Sequence, residues 1–171
     1  MAGVGPYDGE MSSASPVAVS EVTFTHEIDG AFVARFAELI RQLSSSAPAP
    51  TAEELCEIVG SDSSHLLVAR DEDGVILGSM TLVVFRIPTG VRAWIEDVVV
   101  DEAARGRGVG AVLNARALEI AYGLGSTTVD LTSRPSREAA NRLYQRLGFE
   151  LRNTNVYRHN PAAGTDPVSE A

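Results

Sequence analysis

The stretch Asp101-Glu102-Ala103-Ala104-Arg105-Gly106-Arg107-Gly108-Val109-Gly110 carries the residue types best suited to chemistry. Three glycines at alternate positions cannot be serving as core packing. They let the backbone approach a bulky group and take conformations closed to other residues. A helical pattern begins directly behind them. The unpaired N–H groups of a helix's first turn, together with the helix dipole, favour an anion there. Arg105 and Arg107 add charge, and a guanidinium can hold phosphate through two parallel hydrogen bonds. A diphosphate is the natural occupant; the plainer alternative is a flexible basic turn that only caps the helix.

Two familiar phosphate loops fit less well. A P-loop needs Gly-Lys, and the chain has no lysine. The dinucleotide fingerprint Gly-x-Gly-x-x-Gly/Ala is matched in form by Gly106, Gly108 and Ala111, with Asp130 about where a ribose-binding acid would stand. Its glycines, however, lie several residues past the preceding strand. The surrounding chain also lacks the length and order of a doubly wound sheet.

The elements that must position this loop can be read from periodicity and turn signals. Val17 to Phe24 suits a first strand, and Ile28, Phe32, Phe36, Leu39, Ile40 and Leu43 fall at helical spacing. Ser44 to Pro50 is a loop, and Thr51-Ala52-Glu53-Glu54 is a capping box that opens a short helix through Leu55, Ile58 and Val59. His65 to Arg70, Val75 to Arg86 and Val91 to Val100 read as an antiparallel meander, turning at Asp71-Glu72-Asp73-Gly74 and Pro88-Thr89-Gly90. A helix over Arg107 to Tyr122 follows, with Val109, Val112, Leu113, Ala117 and Ile120 on one stripe. Next come a strand over Thr127 to Thr132, a helix over Pro135 to Leu147 ending at Gly148, and two last short strands, Phe149 to Arg152 and Asn155 to His159. The strand–loop–helix–strand at the centre implies a parallel pair with a right-handed crossover. The fold class is therefore α/β (α+β): a mixed central sheet with an antiparallel amino-terminal meander, covered by helices.

At 171 residues the chain suits one domain, placed over 17–159 between tails, 1–16 and 160–171, that are expected to lack fixed structure. A net charge of −9 weighs against nucleic acid or an anionic membrane as partner, and no apolar run is long enough to span one. The amino terminus lacks the pattern of a secretory signal, so a cytoplasmic setting is the default expectation. The single cysteine, Cys56, allows no internal disulfide, and His26, His65 and His159 are scattered, so no metal is expected.

A third loop pattern, Arg/Gln-x-x-Gly-x-Gly/Ala, is satisfied by Arg105, Gly108 and Gly110. On this loop the chain resembles the GNAT superfamily of N-acetyltransferases. The likeness extends to Leu77-Gly78-Ser79-Met80-Thr81, to Ile95-Glu96-Asp97-Val98-Val99-Val100 and to Ala140-Asn141-Arg142-Leu143-Tyr144-Gln145-Arg146-Leu147-Gly148-Phe149, across most of residues 17 to 159. The resemblance implies acetyl transfer from acetyl-CoA to a primary amine by direct attack in a ternary complex. It further implies that the strand before the loop parts from its neighbour and pairs with pantetheine through the backbone of Val98 and Val100. The N–H groups from Gly106 through Arg107, Gly108, Val109 and Gly110 to Ala111 would take the pyrophosphate. A main-chain N–H at Val98 or Val99 would stabilise the oxyanion.

Two protons must move in such a reaction. An alkyl amine is neutral in only roughly one molecule per few thousand at pH 7, so a base is needed, and the departing thiolate needs a donor. The resemblance places Tyr144 as donor, with helix packing as its plainer role. Glu96 is the candidate base, directly or through water, with a solvated acid as the plainer reading. Strict strand alternation would put Asp97 on the opposite face, although bulges are common near active sites. Many family members carry Asn seven residues before the tyrosine; here that position is Arg137, and Asn141 is the substitute cofactor contact. The acceptor is expected to be a small-molecule amine, between the first two helices, Trp94 and the 152–155 turn. A peptide amine, or a silent CoA-binding sensor, is the alternative. The strand motif is also similar to that of glucosamine-6-phosphate N-acetyltransferases, but no matching set of basic groups for a sugar phosphate can be placed. Homodimers are common in the superfamily.

Overall fold

The computed structural model describes residues 17–160. The expectations for residues 1–16 and 161–171 lie outside the described residues. In chain order the elements are β1 (Ala18–Val22), α1 (Gly30–Leu43), α2 (Ala52–Val59), β2 (Ser64–Arg70), β3 (Ile76–Ile87), β4 (Gly90–Val100), α3 (Val109–Gly123), β5 (Ser126–Leu131) and α4 (Glu138–Arg146). The strands form one five-stranded sheet in the order β1-β2-β3-β4-β5. The first four are antiparallel neighbours, and β5 joins β4 in parallel. No helix among the described residues is long and apolar enough to cross a membrane.

Local chemistry sets the helix starts. Asp29 caps α1 by accepting the Phe32 N–H at 2.8 Å. The expected capping box opens α2: Thr51 Oγ1 accepts the Glu54 N–H at 3.2 Å, and Glu54 Oε2 accepts the Thr51 N–H at 2.8 Å. Each face of the sheet then buries one apolar layer. Phe32, Phe36 and Leu39 of α1 and Leu55 of α2 pack on Leu66, Val68 and Val99. On the other face, Val109, Leu113, Ala117 and Ala121 of α3 pack on Leu67, Ala69, Met80, Leu82, Ala93 and Ile95.

Three expectations need correction. The α3 stripe runs at strict four-residue spacing, so Val112 is 37% exposed while Asn114 is buried. The last helix begins at Glu138, not Pro135. Residues 134–137 form a turn closed by the Arg137 N–H on the Arg134 carbonyl, and Arg137 has non-helical angles. The two final strands do not form. Phe149 packs against Tyr144, but Leu151, Val156 and Tyr157 are 97%, 71% and 88% exposed. Apolar residues this sparse, broken by Arg152-Asn153-Thr154-Asn155, give the segment no face to bury against β5.

Candidate active site

The site begins where β4 leaves β5. Their parallel register runs from Val91↔Ser126 to Ile95↔Leu131 and stops there. Residues 96–100 continue as strand on β3 alone, so among the described residues their other backbone edge has no strand partner. Within this stretch the β3–β4 register slips: Ser79 pairs with Val99, but Thr81 pairs with Glu96. β4 thus holds one residue more than β3, a β-bulge. Asp97 has φ of 52°, the sole positive value at a non-glycine among the described residues.

The bulge reverses which residues face which core. Ala93 and Ile95 belong to the α3 side before it, and Val98 and Val100 pack on that side after it. Val99 turns instead to the α1 and α2 side. Glu96 shares the α1-side face through its pairing with Thr81, whose neighbour Leu66 lies in that core. Its carboxylate is exposed and is held by the Trp94 indole, whose Nε1 donates to Glu96 Oε1 at 2.6 Å. Asp97 is exposed within the bulge itself.

The chain then turns through a short 3-10 turn, Glu102–Ala104, into the glycine loop. Asp101 Oδ1 accepts the Ala103 N–H at 2.8 Å, and the Asp101 N–H donates to the Leu77 carbonyl at 2.8 Å. From α1, the Arg35 guanidinium donates to the Ile76 carbonyl at 2.8 and 2.9 Å and pairs with the Asp101 carboxylate. Gln42 adds a second tie, its Oε1 accepting the Glu102 N–H at 2.9 Å. The Ala103 N–H, and then Arg35, hold the Asp101 carboxyl below the usual carboxylate range. Sequence reasoning missed this latch: its partners lie on separate elements, 66 residues apart, and no local pattern joins them.

Gly106 and Gly108 have φ of 81° and 79°, and a Cβ on either would meet no protein atom within 4 Å. Both glycines are exposed. Gly110 differs. A Cβ there would lie 3.0 Å from Leu143 Cδ2, so this glycine lets α4 close on α3. The expectation that none of the three serves packing is corrected at that position. Among the described residues, the N–H groups of Gly106, Gly108, Val109 and Gly110 meet no acceptor in the protein. The Arg107 N–H bonds to Ala104, and those of Ala111 and Val112 bond to Gly108. Arg105 is exposed and pairs with Glu102 at 3.1 Å, leaving its guanidinium in solvent beside the loop.

Tyr144 stands on α4 with its ring edge-on to Phe149, centroids 5.8 Å apart. Burial pushes its hydroxyl pKa above the usual value, and the Arg137 guanidinium pulls it partly back. Among the described residues that hydroxyl makes no hydrogen bond. Arg137 also donates to the Leu43 carbonyl at 3.3 Å, joining the start of α4 to the end of α1. Asn141 Nδ2 donates to the Arg134 carbonyl at 3.1 Å and so closes the turn into α4, which leaves its Oδ1 for an outside donor.

Fold and site together give a mixed α/β protein in which a helix start with unpaired N–H groups follows a strand stretch paired on one side only. Residues 32–149 match the model of the Acetyltransferase (GNAT) family, and the chain belongs to that family. It is 36% identical over 83 residues to a mycothiol acetyltransferase of Beutenbergia cavernae, in an alignment covering 48% of this chain and 27% of that protein. The chain thus spans about a quarter of that relative's length. A putative acetyltransferase from Agrobacterium tumefaciens superposes with a TM-score of 0.72 at 23% identity, over 84% of this chain and 99% of the other. AAC(6')-Iy in complex with the bisubstrate analogue CoA-S-monomethyl-acetylneamine superposes with a TM-score of 0.70 at 19% identity, over 86% and 100% of the two chains. Both structural likenesses concern the fold.

Proposed function

We propose that this protein transfers the acetyl group of acetyl-CoA to a primary amine on a small molecule, by direct attack within a ternary complex. One observation carries the reading: β4 loses its β5 partner after Ile95, just ahead of a helix start whose N–H groups at Gly106, Gly108, Val109 and Gly110 find no protein acceptor. A pantetheine arm supplies the missing strand, hydrogen-bonding the backbone of Val98 and Val100. The pyrophosphate takes the four N–H groups, with Arg105 and Arg107 as counter-charge. A Cβ at 106 or 108 would project into space empty of protein, which is the room a diphosphate needs. Asn141 offers Oδ1 as a further acceptor for the pantetheine amides.

The proton steps fall to residues at the parting of the strands. Glu96, oriented by Trp94, takes a proton from the incoming ammonium directly or through water, leaving a neutral amine. The amine nitrogen attacks the thioester carbonyl, whose oxygen gains charge and is met by a main-chain N–H at Val98 or Val99. The intermediate collapses as the C–S bond breaks. Tyr144, kept protonated by its burial, gives its proton to the departing sulfur. The nitrogen, left positive by its attack, gives its second proton through solvent to the Tyr144 phenolate; acetylated amine and CoA thiol leave, and Glu96 releases its proton to water.

Thiol release from acetyl-CoA, followed against a panel of small amines, tests the proposal. Amine-dependent thiol release is expected, with acetyl on nitrogen in the product by mass spectrometry. Binding of acetyl-CoA without turnover on any amine would overturn it in favour of a sensor.

A further inference from the structure

The α1-side face of the sheet does not end at Glu96. Towards the β3–β4 turn the same face continues through the cross-strand pairs Thr81↔Glu96, Val83↔Trp94, Phe85↔Arg92 and Ile87↔Gly90. Residues paired directly in an antiparallel ladder point to the same side. Val83 and Trp94 are half-buried, while Phe85 and Ile87 are 38% and 36% exposed. The result is an apolar strip carrying two aromatic rings, with a carboxylate at one end. Asp130 of β5, the parallel partner of Trp94, borders the strip but is bonded to Arg152 at 3.3 Å, and Asp97 stands exposed in the bulge next to Glu96. Arg92 does not spoil the strip, because its guanidinium turns to Thr127 on β5.

Resting on the acetyltransfer reading above, we propose that the acceptor is an amphipathic monoamine, an alkyl- or arylalkylamine, whose apolar body lies on Val83, Trp94 and Phe85 with its ammonium at Glu96. Charge and shape agree on this class. With Asp130 engaged by Arg152, the carboxylates free to meet an ammonium, Glu96 and its neighbour Asp97, lie together at one end of the strip, and a polyamine or amino sugar would leave further cationic or hydroxyl groups facing apolar side chains without partners. Each two-residue step along a strand is about 7 Å. The Trp94 and Val83 pair therefore meets the first few carbons beyond the nitrogen, and Phe85 meets only longer chains. The strip is continuous with the candidate base, as an acceptor floor must be.

A chain-length series on the full-length protein tests this. With acetyl-CoA saturating, kcat/KM is measured for alkylamines from propylamine to octylamine and for 4-phenylbutylamine, against ethanolamine and glucosamine. The expected result is a rise of about threefold to fourfold per added methylene, with both polar amines at least about tenfold below octylamine. Phe85→Ser should flatten the rise for octylamine and 4-phenylbutylamine and leave the KM for acetyl-CoA unchanged. Val83→Ser should flatten it for the short amines as well. A flat series overturns the inference, as do polar amines preferred over apolar ones or a slope indifferent to both variants. A variant that alters only the oligomeric state in light scattering, with its kinetics intact, assigns the strip to a second copy and also overturns it. Turnover of polar amines alone sinks the inference while sparing acetyltransfer; silence of every amine sinks both.

Discussion

Replacing Gly108 with alanine should separate binding from folding. At φ of 79° a Cβ is strained, but nothing in the protein lies within 4 Å of it. The stability loss is then the left-handed strain alone, about 1–2 kcal/mol, or roughly 2–8 °C in Tm for a chain of this size. The added methyl enters the space assigned to the pyrophosphate and pushes it off at least one N–H. A hydrogen bond to a charged group contributes about 1.5–3 kcal/mol, so the Kd for acetyl-CoA should rise about tenfold to a hundredfold. Gly74 supplies a matched control. Its φ is 81°, its would-be Cβ also meets nothing within 4 Å, and it sits in the turn between β2 and β3. Gly74→Ala should therefore cost the same stability and leave affinity alone. Calorimetric titration with acetyl-CoA and thermal melts on both variants give the comparison. Equal affinities in the two variants, at equal loss of Tm, would refute the placement of the pyrophosphate.

Tyr144→Phe should lower kcat by about 10²–10⁴ with little change in the KM for acetyl-CoA. Because burial raises the tyrosine's pKa, wild-type activity should hold through neutral pH and fall only as pH passes that raised value, a limb the variant lacks. An unchanged kcat across pH would remove the tyrosine from the mechanism. Glu96→Gln should reduce kcat at neutral pH and leave acetyl-CoA binding intact, and Trp94→Phe, which removes the 2.6 Å bond to that carboxylate, should reduce it less; stopped-assay kinetics check both. Asp101, whose folded pKa is depressed, stabilises the fold above its unfolded pKa of about 3.9, and this contribution is lost as pH falls through the folded value. In denaturant titrations, Asp101→Asn should therefore be less stable than wild type at neutral pH, with the gap closing in acid.

What could be read from the sequence was local. Gly106, Gly108 and the helix behind them announce themselves by spacing, and the Thr51–Glu54 box by its two residue types. The meander showed through its turns. A bulge near Asp97 was open as a general possibility, but its place could not be read, because no glycine marks it and it exists only as a slip between two paired strands. It nevertheless decides that Glu96 and Val99 share one face. The Arg35–Asp101 latch was equally hidden, since it forms only once α1 has docked against the loop. Phe149 to Arg152 and Asn155 to His159 carry enough strand-forming residues to suggest strands, yet pairing needs a buried face that those few apolar side chains do not provide. Gly110 stands out in the sequence as part of the motif, while its contact with Leu143 depends on α4, far along the chain.

The most direct test is a ¹H–¹⁵N spectrum of the labelled protein titrated with acetyl-CoA. The amide signals of Gly106, Gly108, Val109 and Gly110 are expected to move together, downfield in the proton dimension as each gains an anionic acceptor. Saturable binding that leaves those four signals in place would contradict it.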